Sequence, residues 1–529
     1  MHLTLDEILE HASNRDDAFP SHNAPGDSIG MTTFDFWTNG SVPQNYTNYS
    51  GTQLPQSIVT TMASEPDWSD VGAYYATFQG STWSDFVPFG SRRRSGTSVT
   101  QVDAAGGIEV AVSSRGDSVE LCVNTGIQWV CFPAPQGYWP RIASDDNFRL
   151  YLVSCDADPP SHVRFASTDD LGVTWTADIE LFSHPGLRVD ADGYDIAASG
   201  SRVAVICAGQ GGDVVLVEST DYGNTWEERV IGDVAGQGEL PFGQEEWQPD
   251  GACALVYDGS GVLHAVWSSF LAIGDREADP VLYYSYDAGL TYWSEQTGIE
   301  RMVPYHYCCP EEPPPVGRDG NYVSEPDISA SYYGSLIITF VMSMTEDGAP
   351  DVVRDRIWGG CKNIFSWSVD VVTEGRGFSA PYHSLPPSFA SEYDEMHLWY
   401  ASGSGSGSSV TGNHPVIPTV LRDYFRRIPC IIPEEKLVKQ ESSRGTPISS
   451  YPNPFNASTT IRYEIGSREP VVISVFDLLG REVAVLVNET KSPGRYETTW
   501  GATGYPSGVY FLRIHAGDFA HTKKLVVLR

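Results

Sequence analysis

Aromatic side chains recur beside charged ones in the long segments near the middle of the sequence. Trp247 follows Glu245 and Glu246, Tyr305 precedes His306, and Trp358 follows Arg354 and Arg356. Such mixtures suit a polyhydroxylated ligand, whose C–H faces stack on rings while its hydroxyls take hydrogen bonds from charged groups. Trp247, Tyr305 and Trp358 are the binding candidates on this ground, although an aromatic residue in a loop also serves to pack the loop onto its scaffold. Other clusters are less telling. Asp190, Asp192 and Asp195 around Gly193 depart from the spacing of a calcium loop and lack its later glutamate. A turn is expected there, with a structural calcium ion as the alternative. No other cofactor or metal is expected, and His306 with Cys308 and Cys309 reads as a loop disulfide or free thiols.

The segments carrying these residues (227–252, 268–280, 294–326, 343–363 and 374–393) lie between short alternating stretches that read as strands. Strand, short turn and second strand recur at 99–112, 142–153, 196–206, 254–266 and 328–341, the turn containing glycine in all but the Asp145-Asp146-Asn147 copy. Several copies are followed by a Ser/Thr-x-Asp-x-Gly-x-Thr-aromatic octapeptide. It occurs at Thr168, Asp170, Gly172, Thr174 and Trp175; at Ser219, Asp221, Gly223, Thr225 and Trp226; and at Ser285, Asp287, Gly289, Thr291 and Tyr292. The aspartate can accept N–H groups across a tight turn, the glycine allows positive φ, and the aromatic residue offers a face to bury.

These octapeptides resemble the Asp-box, or BNR, repeat of sialidase-like β-propellers. The resemblance implies turns between the outer two strands of a blade, so Asp170, Gly172, Trp175, Asp221, Gly223, Trp226, Asp287 and Gly289 are expected to be structural. The expected architecture is all-β: a six-bladed propeller over 27–400, with strands near 29–37, 58–62 and 74–78 forming one blade closed by 396–400. In a propeller the long segments fall on the face opposite the short turns, where binding resides. By the same resemblance, a sialidase would need three arginines and a tyrosine nucleophile with a glutamate. Arg276, Arg318 and Arg354 with Tyr322 and Glu325 are the candidates by position. The Phe/Tyr-Arg-Ile-Pro motif of those enzymes does not precede Thr168; Arg427, Ile428 and Pro429 stand near the other end. Binding of a glycan or other extracellular ligand is therefore the favoured function. An exo-α-sialidase or related glycoside hydrolase, or a structural surface protein, is the alternative.

The last 83 residues change character, after a stretch at 401–446 that starts Ser/Gly-rich and reads as linker. Six short alternating strands are expected at 460–465, 471–477, 482–487, 495–500, 509–514 and 524–528, beside the motifs Tyr451 to Asn456, Phe476 to Glu482, Pro493 to Tyr496, Ser507 to Phe511 and Lys523 to Leu528. They resemble the type A C-terminal sorting domain of type IX (Por) secretion cargo. That resemblance implies a small immunoglobulin-like β-sandwich over 447–529 that engages the type IX machinery. It implies a place outside the cell or on the outer-membrane surface of a diderm bacterium. Residues 1–26 show neither a basic region nor an apolar core, so a leader or truncated start is expected.

A formal charge of −35 argues against nucleic acid as a partner. No apolar run approaches a membrane span, and a monomer is expected. The nine cysteines form no CxxC pair. Cys155, Cys207 and Cys253 read as small buried thiols. A two-residue turn at Thr125 and Gly126 would set Cys131 opposite Glu120, which argues against a Cys122–Cys131 bridge.

Overall fold

The computed structural model describes residues 27–34, 44–48, 55–91 (less 66, 80 and 81), 95–102, 108–145 (less 127), 149–156, 162–189, 193–234, 245–274, 282–305, 323–331, 336–346, 349–362, 367–371, 379–385, 388–389, 395–403, 419–427, 448–451, 455–465, 469–476, 481–492, 494–516 and 519–527. Its regular elements are all strands. Among the described residues no helix is long and apolar enough to cross a membrane. The chain forms two compact units: residues 1–361 with 369–428, and residues 429–529 with 362–368.

In the first unit, seven sheets of four or five strands succeed one another. We number them as blades 1 to 7. Their first strands are Tyr46–Asn48, Ser95–Val102, Tyr138–Ser144, Tyr194–Ser199, Glu245–Tyr257, Val323–Ser331 and Ser379–Ser384. Alternation explains the stacking. In the second strand of blade 4, Val203, Val205 and Cys207 pack with Val153, Val163 and Phe165 of blade 3. Ala204 and Ile206, pointing the other way, pack with Cys253, Leu255 and Trp267 of blade 5. Each sheet is thus apolar on both faces and needs a neighbour on each side.

The ring closes through blade 7, which combines strands from both ends of the propeller sequence. Blade 7 runs Ser379–Ser384, Glu395–Gly403, Thr419–Arg427 and then Asp27–Thr32, which pairs Met31 with Val420 and Thr32 with Thr419. Asn45 of blade 1 donates its backbone N–H to Ser384 Oγ of blade 7 at 3.2 Å. Such radial repetition leaves only short, protected strand edges.

This arrangement corrects two expectations. Among the described residues seven sheets stand where six blades were expected, because the strands expected in one N-terminal blade divide between blades 1 and 7. The strand Thr419–Arg427 lies inside the stretch expected to be linker, with Leu421 and Arg422 buried. Its partners stand at the two ends of the propeller sequence, so no local pattern announces it.

Two of the three octapeptides are turns. In blade 3, Asp170 Oδ1 accepts the Thr174 N–H at 2.8 Å and the Thr168 hydroxyl at 2.7 Å, and its Oδ2 accepts the Thr174 hydroxyl at 2.6 Å. In blade 4, Asp221 repeats this with Thr225 and Ser219. Gly172 and Gly223 have φ of 90° and 83°. A Cβ at Gly223 would stand 2.7 Å from Phe165 of blade 3, and Trp226 meets the same ring edge-on at 4.8 Å. The third copy differs: Asp287 and Gly289 lie within the strand Leu282–Ser294, and the turn falls at 295–297. The neighbouring strand Leu263–Gly274 is long enough to pair through that region, with an irregularity opposite Leu271.

Cys122 and Cys131 are joined by a disulfide, contrary to the sequence argument. The turn spans 125–128 rather than two residues, so Asn124 faces Trp129 and Cys122 faces Cys131. Cys155, Cys207 and Cys253 are buried thiols outside any disulfide, each within hydrogen-bonding reach of a backbone carbonyl.

The second unit is a sandwich of a three-stranded and a four-stranded sheet. The strands are those expected plus Ile448–Tyr451. Val471, Ile473 and Val475 alternate inward against Leu512 and Ile514, with Trp500 at the centre. Trp500 meets Tyr510 and Phe455 edge-on at 5.0 and 5.5 Å, the arrangement aromatic quadrupoles favour.

Candidate binding site at the propeller axis

The first strand of a blade starts at the face opposite the short turns and runs along the axis. In five blades it is irregular there. Register shifts occur between Ser95 and Ser98, Tyr138 and Arg141, Pro249 and Cys253, Ser324 and Asp327, and Ser379 and Tyr382. Two of these bulges contain Trp139-Pro140 and Glu325-Pro326, each followed by a charged residue, and Gln248-Pro249-Asp250 leads into a third from regular register. Proline has no N–H for a ladder and is tolerated in sheets where pairing is broken. The residue before proline is normally extended, yet Trp139 and Glu325 both have φ of 50°. Left-handed backbone at a bulky residue is held only by its surroundings, and bulges re-aim side chains.

Hydrogen bonds link the first strands across several pairs of neighbouring blades. Asn45 Nδ2 of blade 1 donates to the Thr97 carbonyl of blade 2 at 2.9 Å. The Ile142 N–H of blade 3 reaches Ser98 Oγ at 3.4 Å. The Tyr194 hydroxyl of blade 4 donates to the Trp139 carbonyl at 2.8 Å. Asp195 accepts the Leu255 N–H of blade 5 at 2.7 Å, and Asp327 of blade 6 accepts the Leu385 N–H beside blade 7 at 2.8 Å.

Buried ionisable groups accumulate along these first strands. Arg141, Glu325, Asp327 and His383 are buried, and Asp195 is half-buried. Burial pushes the Asp195 carboxyl up to about 6, against its N–H donors and Arg141. Burial pushes Asp327 up to about 8; the Leu385 N–H opposes this and the Asp195 charge adds to it. Burial lowers His383 to about 3, so its imidazole stays neutral. Gln248 is the most telling residue. It has no exposed surface, and neither its amide oxygen nor its nitrogen has a hydrogen-bond partner among the described residues.

Of the residues singled out in the sequence, Trp247 is half-buried beside Gln248 and Glu325 is buried at the blade 6 bulge. Trp358 is half-buried in the strand Ala349–Lys362, its indole N–H without a described partner. Arg354 belongs to the same strand, and Tyr305 ends the strand Gly298–Tyr305. Arg276, Arg318, Tyr322, His306, Cys308, Cys309 and the 190–192 part of the calcium-loop candidate lie outside the described residues. Asp195 sits in a strand and accepts a neighbouring blade's N–H. Several segments expected as loops are strand extensions: blade 5 has strands of 13, 12 and 13 residues where those of blade 4 have 6. Sequence reasoning missed Gln248, Asp327 and Arg141, although the repeated X-Pro-Asp/Arg was there to be found.

Comparison with known proteins bears first on the tail. Residues 449–528 match the family described as the secretion system C-terminal sorting domain. The chain carries a sorting domain. Such a domain supports export by the type IX system, hence a secreted or cell-surface location. Among solved structures, an ulvan lyase is similar at 12% identity and TM-score 0.42, over 72% of this chain and 97% of the other. The NanB sialidase of Streptococcus pneumoniae is similar at 11% and 0.33, over 75% and 70%. A lectin of Aleuria aurantia is similar at 10% and 0.37, over 65% and 98%. A comparison with curated proteins returns no match.

Proposed function

We propose that this is an exported propeller that binds an extracellular saccharide at the bulged end of its axis. The observation that carries this reading is the set of first-strand bulges, which holds buried polar side chains at one end of a rigid scaffold. Binding sites favour a concave, pre-formed place with a few fixed polar groups. Sugars need donors and acceptors in set positions, and Asp195, Asp327 and Glu325 supply such groups. Trp247 adds an aromatic edge at the same end. The sorting domain would deliver the propeller to the outer surface. A hydrolytic function would draw on Arg276, Arg318 and Tyr322, whereas the residues at the axis support recognition.

Two experiments test this. The full chain applied to an array of defined oligosaccharides is expected to retain at least one class; retention of none contradicts the reading. Expressed in a type IX-competent host, the full chain is expected in the medium or on the surface, and a chain ending at residue 446 inside the cell. Equal export of both would overturn the role of the tail.

A further inference from the structure

We propose that Cys122, Cys131 and Glu120 form a redox-gated site for a soft divalent cation such as zinc, unavailable while the two sulfurs are bonded to each other and available once an external thiol reduces them. The site is independent of saccharide binding and follows from register in blade 2. The third strand, Ser118–Asn124, points Glu120 and Cys122 to one face, since they are two residues apart. The outer strand, Trp129–Pro133, sets Cys131 directly opposite Cys122. That face is turned towards blade 1, where Cys122 packs with Val59, Ala73 and Phe89. The donor atoms of the three side chains lie within 4.8 Å of one another.

The segment that crosses this face from blade 1 suits a cation. Gly90 is exposed, with φ of 68°. A Cβ there would stand 2.7 Å from Glu120 Oε2, 3.4 Å from Cys122 Sγ and 3.7 Å from Cys131 Sγ, so the missing side chain leaves space in front of all three donors. Glu120 and Cys131 are half-buried, not sealed as the axial groups are. Ser91 donates its N–H to Glu120 Oε2 at 2.8 Å and its hydroxyl to Oε1 at 2.7 Å, which orients the carboxylate as outer donors orient metal ligands. A tetrahedral zinc, with bonds of about 2.3 Å to sulfur and about 2.1 Å to oxygen, sets those ligands about 3.6 Å apart. Oε2 already lies 3.8 Å from Cys122 Sγ. Only the sulfurs must part, from bonded contact to about 3.8 Å.

Ligand type selects the cation. Two thiolates suit zinc and softer ions, whereas calcium and magnesium need more oxygens than one carboxylate gives. The opening step is thiol–disulfide exchange: two external thiols are oxidised to a disulfide, and their two electrons and two protons pass to Cys122 and Cys131. Binding then releases both thiol protons to solvent. In oxidising surroundings the bond persists and no cation enters.

The full chain is reduced with dithiothreitol under nitrogen, freed of it by gel filtration and titrated with cadmium(II), whose bonds to thiolate give an ultraviolet charge-transfer band. Zinc(II) is then added as competitor. Untreated chain, Cys122→Ser/Cys131→Ser and Glu120→Gln are run beside it, with Tm recorded for each. The serine pair discounts cation bound by the remaining cysteines. We expect the reduced parent to take up one cadmium ion more than the reduced serine pair, zinc to displace it, the untreated chain to lack it, and Glu120→Gln to hold it tenfold or more weakly. Equal uptake by the reduced parent and the serine pair would overturn the inference. So would a Cys122–Cys131 bond that dithiothreitol leaves intact, or unchanged affinity in Glu120→Gln. Should the serine pair fail to fold, the untreated parent is the reference, and Glu120→Gln, which keeps both cysteines, decides by its affinity.

Discussion

The two faces of the propeller use polar residues in opposite ways. At the turns of 168–175 and 219–226, each aspartate is saturated by donors within its own octapeptide. Hydrogen bonds from Thr174 hold Asp170 down at about 2, and those from Thr225 and Ser219 lower Asp221. At the axis, carboxyls are pushed upwards by burial and a glutamine amide is left unmet. Groups that satisfy each other make a turn; groups held in place with capacity left over make a site. On the proposed reading, one face serves structure and the other recognition.

Three substitutions and one pH series sharpen or break that contrast. Gly223→Ala should have the largest effect, because its Cβ would stand 2.7 Å from Phe165 Cζ at a φ of 83°. A loss of roughly 2–3 kcal/mol in urea unfolding is expected, with sugar binding intact in the folded fraction. A loss of binding without a loss of stability would place function on the wrong face. Asp327→Ala should cost roughly 1–3 kcal/mol, since the Leu385 and Ile328 N–H groups lose a buried acceptor. No measurable change would show that the inter-blade bonds do not hold the blades.

The pH series separates the faces by sign. Asp327 has a folded pKa above its unfolded value of about 3.9, so the native state binds the extra proton and stability falls as pH rises towards 8. His383, lowered to about 3, contributes the opposite slope, which ends near its unfolded pKa of about 6.5. Between pH 6.5 and 8 the parent should therefore lose stability, and Asp327→Asn should lose that slope. Asp221 behaves inversely: its contribution is present above about pH 4 and disappears as pH falls through its lowered pKa. Asp221→Asn should flatten the acid limb alone. The smallest effect belongs to Gln248→Leu, expected to leave stability unchanged or raise it by about 1 kcal/mol, because removing an unmet polar pair is close to neutral.

The sequence showed the propeller where each residue acts locally. Asp170 and Asp221 bond within four residues, so their turns are visible without a partner strand. The third octapeptide has the same residues but a long neighbouring strand, and pairing drew Asp287 and Gly289 into the sheet. Pairing of Asp27–Thr32 with Thr419–Arg427 joins distant stretches that no periodicity connects, and so the described residues form seven sheets where six were expected. The Cys122–Cys131 pair was misjudged because the turn is two residues longer than assumed. The candidate site was less legible still. Trp247 and Glu325 drew attention by type, but the unmet state of Gln248 is a property of packing, and proline in a strand only hinted at the bulges. The sorting domain was the most legible part, because its motifs span nearly the whole unit.

The most direct test is hydrogen exchange of the full chain, with and without an oligosaccharide retained on the array. Added protection at 245–250 and 323–327, with 168–175 and 219–226 unchanged, is the predicted result. Protection confined to those turns, or to 449–528, would contradict an axial site.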